Sequence, residues 1–132
     1  MNRRFPWVWV PLLALVFAVA AVRAGDPVPT ISQQTLLERQ QKKDPALLVV
    51  DVRAPSEYAQ GHVPGAINVP HDQIAAHLAE LPKDKDVVLY CRSGRRSALA
   101  AEALRASGYS RLLQLEGDMS GWLDQGRPVE KP

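Results

Sequence analysis

The chain has 132 residues, 46% of them hydrophobic and 23% charged, an ordinary globular composition with room for one domain and not two. The formal charge is +2, but Arg3, Arg4 and Arg23 precede every acidic residue, and the chain beyond Ala24 carries 13 basic residues against 14 acidic ones. That balance excludes a nucleic-acid binder that works by neutralising many phosphates, and with Cys91 as the only cysteine the core must form without an internal disulfide.

Met1 to Arg4 is a short positive segment, Phe5 to Val22 is apolar and uncharged, and Val22-Arg23-Ala24 places small residues before a cut at Gly25. This is the layout of a secretory signal peptide over residues 1–24, leaving a domain over 25–132. A retained membrane anchor is the rival reading, since about 18 apolar residues is near the lower limit for a span, and Pro6 and Pro11 weaken it. Either way the folded part is exported. Its single thiol is then free, paired between molecules, or chemically employed.

Gly25 to Thr30, with two prolines, reads as an extended lead-in. Ser32 caps a helix over Leu36 and Leu37 to about Lys42, stopped by Asp44-Pro45. Leu47-Leu48-Val49-Val50 is a short, continuously apolar run, as a strand covered on both faces requires. Pro55 to Tyr58 predicts a helical turn, Gly61 to Gly65 a turn, and Ala66 to Val69 a second strand. Asp72 is the expected cap of a helix carrying Ile74, Ala75, Leu78 and Leu81, ended by Pro82. Val87-Val88-Leu89-Tyr90 is a third strand and runs straight into Cys91. Ala98 to Ser107 predicts a helix with Leu99, Ala103 and Leu104 inward and Gly108 as its stop. Leu112 to Leu115 is a fourth strand, and Gly117 turns the chain into a last helix around Trp122 and Leu123. Strands alternating with helices give an α/β fold, a central parallel sheet of four to five short strands with helices on both faces.

In such a sheet reactive groups gather beyond the carboxyl ends of the strands. Cys91 sits at one, followed by Arg92, Ser93, Gly94, Arg95, Arg96 and Ser97 and then a helix. A tight loop of backbone N–H groups at a helix start forms an anion cradle that favours the thiolate, the nucleophilic form, without a histidine base. The forked guanidinium groups suit sulfur or phosphorus oxyanions. Two bland readings stand beside this one. Cys91 can be a small buried apolar residue, and the arginines a solvated helix start, although positive charge opposes the helix dipole there. Cysteine phosphatases resemble Cys-x5-Arg-Ser/Thr, whereas position 97 here is Ser97. The loop is one residue short for phosphate, which ranks sulfur transfer above phosphoester hydrolysis or arsenate reduction.

Taken with Val50-Asp51-Val52-Arg53, Glu57-Tyr58, Gly61 to Asn68 and Leu115-Glu116-Gly117, the Cys91 loop resembles the rhodanese family of sulfurtransferases, over the whole of residues 25–132. With its leader, the chain is similar to small single-domain periplasmic rhodaneses. The resemblance implies a thiosulfate:cyanide sulfurtransferase with Cys91 as sulfur carrier, passing through a persulfide in ping-pong order. It implies that the backbone of Arg92, Ser93, Gly94, Arg95, Arg96 and Ser97 binds the persulfide, and that the three arginine side chains contact thiosulfate. Asp51, Arg53 and His62 fall in blocks read as structural support. His71 and His77 are not spaced as metal ligands on one helical face, and neither a metal nor another cofactor is expected. Asp118 stands where the family often has a second glycine, and aspartate tolerates the left-handed backbone such a position needs. Trp122 reads as core. The expected partners are thiosulfate and a thiol or protein sulfur acceptor, without nucleic acid, for a monomer. A protein-partnered sulfur or redox relay is the alternative.

Overall fold

Leu47-Leu48-Val49-Val50 and Val87-Val88-Leu89-Tyr90 have no polar face to turn to water, so both belong where a sheet is covered twice. A computed structural model of the protein describes residues 26–132 and places them there. The chain runs β1 (Thr30–Ile31), α1 (Gln33–Gln41), β2 (Leu47–Asp51), α2 (Pro55–Gln60), β3 (Ile67–Asn68), 3-10 helices over His71–Ala76 and Leu78–Glu80, β4 (Asp86–Tyr90), α3 (Arg95–Ala106), β5 (Leu112–Leu115) and α4 (Asp118–Asp124). Five parallel strands lie in the order β1-β5-β4-β2-β3, so β4 is central. The α/β expectation holds. The expected signal peptide over 1–24 lies outside the described residues; among those described, no helix is long and apolar enough to cross a membrane.

Alternation along the strands divides the core in two. Val50, Val87, Leu89 and Leu112 face α3 and the 3-10 segment through Ala100, Ala101, Leu104, Ile74 and Leu81. Val49, Val88, Tyr90 and Leu115 face α1 and α4 through Leu36, Met119 and Trp122. Ser32 caps α1 as expected, its Oγ accepting from the Thr35 N–H at 3.0 Å.

Three expectations are corrected. The lead-in ends in a strand, β1, whose register Thr30↔Gln114 and Ile31↔Leu115 is set by a partner more than eighty residues away. The helix expected after Asp72 is a pair of 3-10 helices, the first starting from Pro70, with no side-chain cap. A 3-10 helix rises about 2.0 Å per residue against about 1.5 Å for an α-helix, so a short segment between two prolines covers more of the return to β4. Finally, α3 begins at Arg95 and buries Ser97, Ala100, Ala101 and Leu104, while Leu99, expected inward, is 48% exposed. Ser97, tucked beneath the Cys91 loop, sets the phase of α3, and positions 100, 101 and 104 follow at helical spacing.

Candidate active site

Three strand ends meet around Cys91. The residue follows β4, is 1% exposed, and is gripped through its backbone by the start of α4. Its N–H donates to Asp118 Oδ1 at 3.0 Å, and its carbonyl accepts from the Met119 N–H at 2.9 Å. The Arg92 carbonyl likewise accepts from the Ser120 N–H at 3.1 Å. With both flanking peptides held, the loop closes on the sulfur: the Gly94 N–H points at Cys91 Sγ from 2.9 Å. Ser97 Oγ lies 3.6 Å from Sγ and donates to the Gly94 carbonyl at 2.9 Å, tying the first turn of α3 to the loop. Gly94 has φ 109°, and a Cβ there would stand 3.2 Å from Asp118 Oδ2. Only glycine fits that left-handed position without strain.

At the end of β2, Asp51 and Arg53 form a buried pair, Nη2 to Oδ2 at 2.6 Å. Arg53 also donates to the Gly61 carbonyl at 2.8 Å, and Asp51 Oδ2 accepts from the Tyr90 hydroxyl at 2.8 Å. That hydroxyl in turn accepts from the Val63 N–H at 3.0 Å. Burial, and next the Asp51 carboxylate, push the Tyr90 phenol far above its usual range, so it stays a donor. His62 is buried, its ring stacked on Tyr58 at 3.7 Å and its Nδ1 3.0 Å from the Tyr58 carbonyl. The network joins the 53–65 connection to the underside of β4.

The loop arginines part company. Arg96 gives both terminal nitrogens to Glu57 of α2, at 2.6 and 3.0 Å. The Arg96 hydrogen bond, above all, holds the Glu57 carboxyl below its ordinary range, and Glu57 raises the Arg96 guanidinium. Arg92 and Arg95 are exposed, as is Ser93. Beside the loop lies a depression of about 450 Å³ whose lining includes Arg53, Glu57, Arg92, Ser120 and Asp124. A sulfur atom met by an amide N–H at a helix start, in a loop that carries two exposed arginines, is an arrangement for holding negative charge on sulfur. Among the described residues, no group of three or more His, Cys, Asp or Glu is placed to hold a metal ion, and His77 reaches only Glu80 at 3.3 Å.

Comparison with known proteins bears on the same residues. The rhodanese-like domain family matches residues 32–125, from the cap of α1 to the end of α4. The chain belongs to the rhodanese-like family. It is 42% identical over 105 residues to a sulfurtransferase of Allochromatium vinosum, an alignment covering 80% of this chain and 97% of that one. It is 36% identical over 98 residues to the thiosulfate:glutathione sulfurtransferase of Saccharomyces cerevisiae, covering 64% of this chain and 70% of the relative. A rhodanese-related protein from Thermoplasma volcanium superimposes with a TM-score of 0.68 at 31% identity, covering 79% of this chain and 99% of that one. Sulfur transfer is therefore the class of chemistry that this rhodanese-like domain and its relatives support.

Three groups without a role in the local sequence pattern reach the site in the folded chain. Glu57 claims Arg96, the Tyr90 hydroxyl supports Asp51, and the Asp118 side chain holds the Cys91 amide. Aspartate where the family often has glycine was a signal for the last; nothing in the local sequence indicates the other two.

Proposed function

We propose that the protein is an exported thiosulfate sulfurtransferase working through a persulfide on Cys91. The carrying observation is the Gly94 N–H aimed at Cys91 Sγ from 2.9 Å at the start of α3, which stabilises negative charge on sulfur. The Cys91 thiolate attacks the outer sulfur of thiosulfate, the S–S bond of thiosulfate breaks, and its electron pair leaves on sulfite. The new Cys91 persulfide keeps its negative charge within reach of the loop. A thiophilic acceptor, cyanide or a thiol, then takes the outer sulfur and returns Cys91 to thiolate, in ping-pong order. Exposed Arg92 and Arg95 are the groups for drawing in the thiosulfate dianion. Arg96, engaged by Glu57, serves the wall. Asp51, Arg53 and His62 support the site by bracing the neighbouring connection.

The yeast relative's name, thiosulfate:glutathione sulfurtransferase, supports a thiol as acceptor. The apolar run at Phe5 to Val22 after a basic start supports secretion to the periplasm with removal of residues 1–24. We take the working unit as a monomer.

The test is the intact mass of the mature protein before and after thiosulfate, beside Cys91→Ser. A gain of one sulfur atom, about 32 Da, in the wild type alone is expected, with thiocyanate formation lost in Cys91→Ser. Absence of the gain in the wild type overturns the thiosulfate reading.

A further inference from the structure

Thiosulfate is a small dianion, and the depression beside the Cys91 loop is both larger and of mixed charge. Its volume of about 450 Å³ falls in the range of sites that enclose small organic molecules, about 300–1,000 Å³. Its wall is continuous with the loop: Met119 and Ser120 line it, and their N–H groups donate to the carbonyls of Cys91 and Arg92. Leu123 and Asp124 stand three and four positions beyond Ser120 on α4, so all three share one face of the helix and present it to the depression. Among the described residues, four charged side chains line it. Arg53 is committed to Asp51, and Glu57 to Arg96. Arg92 and Asp124 are exposed and make no side-chain hydrogen bond or ion pair with the other described residues, although they are opposite in sign and line one concavity. Nothing in the fold calls for Asp124. It ends α4, where carbonyl oxygens already gather negative partial charge and a carboxylate is unfavourable. A carboxylate there also repels a dianionic donor. Both effects reverse sign for a ligand that carries a positive group.

We propose that this depression is the subsite of the sulfur acceptor, and that the acceptor is a zwitterionic thiol, a cysteine or a small cysteinyl peptide, whose ammonium group pairs with Asp124 and whose carboxylate pairs with Arg92. The inference rests on the reading of Cys91 as sulfur carrier and names the acceptor for that site. Leu123, 56% exposed, offers apolar surface to the carbon stem between the two charges. The acceptor thiolate attacks the outer sulfur of the Cys91 persulfide. The S–S bond of that persulfide breaks, its electron pair stays on the Cys91 sulfur, and the acceptor leaves as a persulfide of its own. Negative charge is conserved, and no oxidant or reductant is consumed. Arg92 serves both half-reactions in turn, because ping-pong order clears sulfite from the site before the acceptor enters. Asp124 favours only the second, so it selects among acceptors.

The experiment charges Cys91 with sulfur, removes the donor, and follows discharge of the persulfide by intact mass, as the loss of about 32 Da. The acceptors are cysteamine, 3-mercaptopropionate, cysteine and the neutral 2-mercaptoethanol, at about pH 7.5, where an aliphatic ammonium stays protonated. Each rate is divided by that of 2-mercaptoethanol with the same protein, which cancels any general loosening of the loop. Comparing those ratios between variant and wild type cancels the intrinsic reactivity of each thiol. In Asp124→Asn the cysteamine ratio is expected to fall about threefold, and in Arg92→Gln the 3-mercaptopropionate ratio is expected to fall by about as much, with cysteine falling in both. An unchanged cysteamine ratio in Asp124→Asn, or an unchanged 3-mercaptopropionate ratio in Arg92→Gln, overturns the proposal. Asp124→Ser gives the same reading if the asparagine variant does not fold. Inorganic polysulfide charges Cys91 independently of thiosulfate and so separates the two readings. Charging by polysulfide but not by thiosulfate overturns the donor and still reads the acceptor, whereas charging by thiosulfate with unchanged ratios overturns the acceptor subsite alone. A Cys91 charged by neither overturns both.

Discussion

Glu57 takes both terminal nitrogens of Arg96, at 2.6 and 3.0 Å, and so ties the start of α3 to α2 across the mouth of the Cys91 loop. With side chains 31% and 27% exposed, the pair is partly screened. Glu57→Gln is expected to cost at most about 1 kcal/mol in urea denaturation. The same change frees a guanidinium and removes a negative charge beside the proposed entry of the thiosulfate dianion. The Michaelis constant for thiosulfate is expected to fall about threefold, read from thiocyanate formation at fixed ionic strength. Because Arg96 holds Glu57 below its ordinary value of 4.5, the pair contributes stability above that pH and loses it as pH drops through the lower folded value.

The Asp51–Arg53 pair sits in a drier place, 0% and 8% exposed at the side chains. Removing one partner leaves a buried charge uncompensated. Arg53→Ala is expected to cost about 3–5 kcal/mol by urea denaturation, and Asp51→Asn with Arg53→Met less than that single change. Tyr90→Phe strips both the Asp51 carboxylate and the Val63 amide of a partner, for about 1–3 kcal/mol.

Asp118 carries the opposite pH signature from Glu57. Its folded carboxyl titrates above its unfolded one, so its contribution is fully present below the ordinary aspartate value of 3.8 and is lost as pH rises through the folded value. Asp118→Asn should therefore unfold at higher urea than the wild type at neutral pH, with the difference closing as pH falls toward 3.8. Paired urea titrations at the two ends of that range check the sign.

The two leucines of α3 give a contrast that local pattern reading, which turns both inward, misses. Leu104 is fully buried and Leu99 is 48% exposed. Leu104→Ala is expected to cost about 2–5 kcal/mol, and Leu99→Ala no more than about 0.5 kcal/mol in thermal or urea melts.

That contrast marks where a sequence of this kind stops being readable. Strands β2, β4 and β5 are legible because continuous apolar runs have no exposed alternative, and α1 because Ser32 announces it. The position of Cys91 at a strand end is legible for the same reason. The face of α3 is not, because its stripe is set by Ser97 and filled by small Ala100 and Ala101, which carry a weaker hydrophobic signal than Leu99. Strand β1 is only two residues long and is defined by Gln114 and Leu115. The bonds from Glu57 to Arg96 and from Asp118 to the Cys91 amide span 39 and 27 residues, so they exist only once the sheet is assembled.

Both outer strands of the sheet, β1 and β3, are two residues long, while β2 and β4 within it have five each. Unpaired backbone at a sheet margin is the template on which separate molecules stack into aggregates. Among the described residues β1 and β3 each offer a neighbouring molecule a stretch of two residues, a short template for such stacking. The five-residue β4, by contrast, lies between β2 and β5 and offers no free margin at all.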